Sequence, residues 1–196
     1  MHAIIRKRLM RSRDEIKSFL RGLPTDKDKV QLAKMFAEFA HEGQTDRGGS
    51  KYMGHVNHVA SECESRYGDP NLTAAAYLHD VVEDGGFTVS DLMMFFPPVV
   101  WKTVSLLTRK KSEDRDVYIG RVAANLLAAK VKIVDLEHNM ELSRISSPRQ
   151  TDYERQGRYA TERMKILDSL IDMERHMTDH EMESDVYAEF YMRDVK

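Results

Sequence analysis

Apolar residues recur every three to four positions in almost every segment of this 196-residue chain, and no apolar/polar alternation runs long enough for a buried strand. The expected fold class is therefore all-α. Residues 26–42 place Val30, Ala33, Met35, Phe36, Ala37, Phe39 and Ala40 around a core-facing stripe, which the segment 43–50 then breaks. Further helices are expected over 52–67, 71–84, 99–107, 114–140 with a break near Lys130, and 151–176. Thr88, three residues before Asp91, resembles a capping arrangement that opens a short helix ending at Phe96, and Pro97 and Pro98 fit only at a helix boundary.

The length suits one ordinary domain with a single core. Its expected divisions are a basic N-terminal helix over 1–24, a main domain over 25–178 and an acidic tail over 179–196. The N-terminal segment reads first as a peripheral helix packed on its own domain, with a membrane-surface or partner-binding helix as the alternative. The acidic tail reads first as a solvated helix or a frayed end, with contact to the basic N-terminus of a neighbouring subunit in a homo-oligomer as the alternative. A single cysteine, Cys63, excludes an internal disulfide framework and any cysteine-cluster zinc site. No apolar run approaches the roughly 20 residues that span a bilayer, and the start MHAIIRKRLMRSR has no signal-peptide core, so a cytoplasmic protein with no membrane partner is expected. With a formal charge of −2 and no basic, aromatic-studded face, a nucleic-acid partner is not expected.

The chemistry concentrates in A-Y-L-H-D-V-V-E-D-G-G, where His79 and Asp80 are adjacent and Glu83 and Asp84 follow one turn later. Like charges packed so closely need a cation, and the apolar run 74–78 before them puts the acids at the floor of a cleft. A bare His-Asp pair is weak evidence, because this composition gives on the order of one by chance. What strengthens it is His55 upstream and Asp135 downstream, each at the edge of an apolar helical stretch. Imidazoles plus carboxylates form a mixed nitrogen and oxygen shell, which suits manganese, iron or zinc better than calcium, and manganese is the expected ion. Spacing alone does not choose among His55, His41 and His58, and His138 is equally ambiguous.

Taken together, G-Q-T-D-R-G-G-S-K-Y-M-G-H, then A-A-Y-L-H-D-V-V-E-D, then K-I-V-D-L-E-H-N-M closely resemble the hydrolase domain of RelA/SpoT-type enzymes and, within them, the small alarmone hydrolases. The resemblance covers roughly residues 33–159. It implies an HD-domain helical bundle with a metal site in a central cleft, and a nucleotide as the small-molecule partner. It matches His55, His79, Asp80 and Asp135 to the metal ligands and Glu83 and Asp84 to the catalytic acidic pair, which sets His41, His58 and His138 aside. The implied reaction is hydrolysis of an alarmone 3′-pyrophosphate by metal-activated water, leaving a free 3′-hydroxyl and pyrophosphate. Lys111, Asn139, Arg155 and Tyr159 are carried over as substrate-binding residues, with Arg47 as the group that stacks on the base.

Three positions depart from the family pattern. Asp46 stands where the family commonly has Arg, so Arg47 must reach the base through a shifted loop, and guanosine and adenosine alarmones both remain open. Val56 replaces a usual Pro and Gly85 a usual Thr, changes expected to act on loop stiffness. Two other readings share the same residues. One is an HD-type phosphatase acting on a deoxynucleotide or on the 2′-phosphate of NADPH; the other is a nucleotide-binding module without turnover.

Overall fold

The computed structural model describes residues 11–23 and 28–179, with side chains described to residue 176. The expectations for residues 1–10 and for the acidic tail beyond 179 lie outside the described residues. Helices are the only extended regular elements among those described, joined at one point by an isolated bridge between Thr45 and Lys51. They run α1 (Arg13–Arg21), α2 (Lys29–His41), α3 (Met53–Tyr67), α4 (Pro70–Leu78), α5 (Val89–Met93), α6 (Pro98–Leu107), α7 (Arg115–Ala123), α8 (Leu126–Asn139) and α9 (Gln150–Asp179), with a 3₁₀ turn at Leu142–Arg144.

Local chemistry sets most of the boundaries. Asp28 caps α2 by accepting from the Val30 and Gln31 amides, and Asp69 precedes Pro70 at the first position of α4, where a missing N–H costs nothing. The Thr88–Asp91 capping box opens α5 as the sequence suggests. Gly68, at φ +64°, ends α3 in the left-handed conformation. Three boundaries differ from expectation, the first being the end of α5, at Met93 and not at Phe96. The long helix over 114–140 breaks at Ala124 and Asn125 instead of Lys130, because the Asn125 side chain accepts from the Ala128 amide and starts a new helix. The helix expected to reach Asp84 stops at Leu78. Beyond it the Val81 carbonyl takes both the Gly85 and Phe87 amides, folding the chain back so that Phe87 enters the core.

Two apolar clusters share α4. Leu72 and Ala76 face Val59, Val131, Val134 and Ile166 on one side, whereas Ala74, Ala75 and Leu78 face Phe36, Val100 and Val104 on the other. Small side chains let this helix serve as a common wall, and almost all of α8 is buried, chiefly against α9 and α3. Helix α1 inserts Ile16 into the second cluster and pairs Arg13 with Asp91 at 2.6 Å.

Gly85 has a packing reason that loop stiffness does not capture. A Cβ there would stand 2.6 Å from both Ala40 Cβ and the Val81 carbonyl oxygen, so the acidic turn lies directly on α2. Gly85→Ala is expected to cost about 1–3 kcal/mol of unfolding free energy by overpacking, measured by urea denaturation. Threonine, the usual family residue, is expected to be tolerated no better.

Candidate metal centre

The start of α3, the end of α4 and the last turns of α8 converge on one buried point. His55, His79 and Asp135 each offer a ligand atom there, all within 4.8 Å of one another, and all three residues are buried. Asp80 stands beside them, its Oδ2 3.2 Å from His79 Nε2, while also accepting the Tyr52 hydroxyl proton. Because residues 79–86 form turns, the helical argument for Glu83 beside His79 and Asp80 does not apply. Glu83 instead accepts the Arg109 amide at 3.1 Å, and the nearly buried Asp84 has its carbonyl held by Gln44 Nε2 at 3.1 Å.

The histidine nitrogens show why a cation fits. His79 Nδ1 donates to the Ala76 carbonyl at 2.7 Å, which leaves Nε2 as a lone pair unless a second proton is added. That atom faces Asp80 at 3.2 Å and Asp135 Oδ1 at 3.9 Å. His55 Nε2 lies 3.1 Å from the same Asp135 oxygen without the alignment of a hydrogen bond. Acceptors thus converge on acceptors, an arrangement that a divalent ion or a proton must neutralise. With no ion, burial opposes a charged His79, but Asp80 and Asp135 outweigh it and raise its pKa to about 9. Burial pushes His55 down.

That shift gives a signed prediction for the metal-free protein. His79 binds its extra proton more tightly folded than unfolded, so its contribution is complete below pH 6.5 and disappears as pH rises through about 9. Burial depresses His41 to about 4 and His138 to about 3, so their contributions are lost instead as pH falls below 6.5. In EDTA, the unfolding free energy read from urea denaturation should therefore fall between pH 6.5 and 9.5, by an amount on the order of 3 kcal/mol. With metal bound the ion replaces that proton, and the drop should vanish.

The remaining sequence candidates divide. Arg47, Asn139, Arg155 and Tyr159 line one crevice with Asp46 and Arg144, and Asn139 Nδ2 joins it to the metal centre through Asp135 Oδ1 at 2.6 Å. Lys111 is exposed on the loop after α6 and does not line the crevice. Arg47 pairs with the buried Asp152 at 2.9 Å, and Asp46 accepts from Arg144 at 3.4 Å. Gly48 lets this loop lie on the 3₁₀ turn, since a Cβ would stand 2.3 Å from the Arg144 carbonyl oxygen.

Several contributors escaped the sequence reading. Lys132 is buried with its Nζ 2.6 Å from Asp135 Oδ2, and Tyr52 holds Asp80. His41, set aside earlier, is buried against Tyr52, with Nδ1 on Gln44 and Nε2 without a hydrogen bond. The only available signals were spacings: Lys132 and Tyr52 each precede a ligand candidate by three residues.

Fold and centre together define an HD-type helical bundle built around a histidine and carboxylate cluster. No family model matches the chain. It is similar to the guanosine-3′,5′-bis(diphosphate) 3′-pyrophosphohydrolase MESH1 of Drosophila melanogaster, 30% identical over 151 residues that cover 72% of this chain and 84% of that protein. It is 32% identical over 130 residues to the bifunctional (p)ppGpp synthase/hydrolase SpoT of Escherichia coli, covering 60% of this chain but 18% of that longer protein. The solved structure of a metazoan SpoT orthologue described as hydrolysing ppGpp superposes with a TM-score of 0.61 at 27% identity, covering 76% of this chain and 88% of the other. The chain belongs to the RelA/SpoT-type HD-domain hydrolases.

Proposed function

We propose that this protein is a cytoplasmic, manganese-dependent enzyme that hydrolyses the 3′-pyrophosphate of an alarmone nucleotide, releasing pyrophosphate. The observation that carries the reading is the buried meeting of His55, His79 and Asp135, beside Asp80 and joined by Asn139 to an arginine-lined crevice, in a chain of this family. His55, His79, Asp80 and Asp135 would hold the ion. When bound, a divalent cation brings the pKa of water towards neutrality and screens phosphate charge.

Glu83 and Asp84 orient the attacking water and take its proton. Water oxygen bonds to the phosphorus attached to O3′, the P–O3′ bond breaks, and the 3′ oxygen receives the proton taken from the water and leaves as a hydroxyl. Arg155 suits the phosphates as a bidentate donor, Arg47 offers a planar guanidinium to stack on the base, Tyr159 supplies a stacking face and hydroxyl, and Lys111 can approach from its exposed loop. Arg47 and Arg155 both lie against Asp152, at 2.9 and 3.5 Å, so a nucleotide would compete with an existing carboxylate.

The test is incubation of purified protein and manganese with guanosine and adenosine 3′-pyrophosphates, NADPH and deoxynucleotides, with products resolved by anion exchange. Pyrophosphate from an alarmone, abolished by EDTA, is the expected result and names the base. Orthophosphate alone, from NADPH or a deoxynucleotide, would move the protein to the phosphatase reading.

A further inference from the structure

We infer that His138 is a positioning residue for the metal centre: by accepting the Nδ1 proton of His55, it fixes which nitrogen of His55 is left for the cation. The inference rests on reading His55 as a ligand. The two Nδ1 atoms are 2.7 Å apart, and both rings are buried. A hydrogen bond between two ring nitrogens needs one N–H and one lone pair. Since His55 Nε2 is the atom that faces Asp135, a ligand His55 must carry its proton on Nδ1, and His138 must be the acceptor. His138 is then neutral, with its own proton on Nε2.

The surroundings hold that acceptor in place. The His138 ring lies between His55, with centroids 4.9 Å apart and planes at 26°, and His58, at 4.1 Å and 22°. Its carbonyl accepts from Arg144 Nη2 at 3.0 Å. One turn of α8 thus supplies a ligand, Asp135, and the support of another, His55. His79 solves the same problem differently, through the Ala76 carbonyl. Metal-binding histidines ordinarily donate to a carboxylate or a carbonyl. A neutral imidazole is a less polarising acceptor, so His55 brings less negative charge to the ion than a carboxylate-supported ligand would.

The test is the manganese affinity of the full chain, measured by chelator competition, with folding checked by circular dichroism. His138→Leu removes the acceptor and should weaken binding about 10- to 100-fold. His138→Asn places an amide oxygen near the lost nitrogen and should recover most of the affinity. In a His55→Ala background, His138→Leu should have no further effect, and long-range ¹H–¹⁵N spectra of the metal-free protein should show His55 protonated at Nδ1. Unchanged affinity in His138→Leu, no recovery in His138→Asn, or an equal loss in the His55→Ala background would overturn the inference. Wild-type protein that binds no manganese, or His55→Ala that binds it normally, would overturn the ligand assignment first and the inference with it.

Discussion

Replacing Lys132 with methionine is expected to lower the unfolding free energy of the metal-free protein by about 3–5 kcal/mol, read from urea denaturation in EDTA. Lys132 and Asp135 are both nearly inaccessible, and their side chains meet at 2.6 Å one turn apart on α8. Burial alone would discharge each of them. The pairing instead raises the ammonium well above its ordinary value, and Lys132 with the two histidines holds the carboxyl far below the usual carboxylate range. Methionine keeps the length and apolar stem of lysine, so the cost comes from a buried carboxylate that has lost its hydrogen-bonded ammonium and not from a void. A divalent ion at the centre restores positive charge beside Asp135. Manganese should therefore stabilise the variant more than it stabilises wild type, and equal stabilisation would show that Lys132 and the ion do not share that carboxylate.

Glu83→Gln is expected to lower kcat by about 10²- to 10⁴-fold, the usual contribution of a positioned general base, while manganese affinity stays unchanged. The substitution is nearly isosteric, and the amide oxygen can still accept the Arg109 N–H that Glu83 Oε2 accepts at 3.1 Å. A folded, metal-loaded and slow enzyme is thus the expected product. Asp135→Ala should differ by losing the metal itself. Steady-state kinetics beside a chelator competition separate the two, and a fully active Glu83→Gln would remove Glu83 from the chemical step.

What the sequence conveyed was what helical periodicity and short-range capping encode. The class of fold, the Thr88–Asp91 cap and the separation of α2 from α3 all depend on residues within one or two turns of each other. The meeting of His55, His79 and Asp135 was suggested only when three separate motifs were taken as an ordered set, because no local rule brings positions 80 residues apart to one point. Where the reading failed, tertiary packing had overridden local pattern. The alanine run 74–76 extends smoothly towards Asp84, yet the helix ends at Leu78 because Phe87 turns back into the core. Gly85 looks like a flexible joint but is a point of contact with Ala40. Lys132 sits in an apolar run like any surface lysine on a helix, and only the burial of α8 turns it into the counter-charge of Asp135.

The double duty of α4 also governs how this molecule can breathe. Each cluster packs against one of its sides, so neither half can loosen α4 without exposing part of the other. His79 and Asp80 follow directly from its end, while Asp135 and Asn139 arrive from α8 across the same wall. The crevice, by contrast, is bordered by the loop through Arg47 and the turn through Arg144, which meet α9 and each other mainly through ion pairs. The amides of that rim are expected to exchange with solvent faster than those of α4, which should be among the slowest in the protein. An ion held at His55, His79, Asp80 and Asp135 would then be anchored in the part of the chain expected to open last, and a nucleotide in the crevice would meet the part expected to open first.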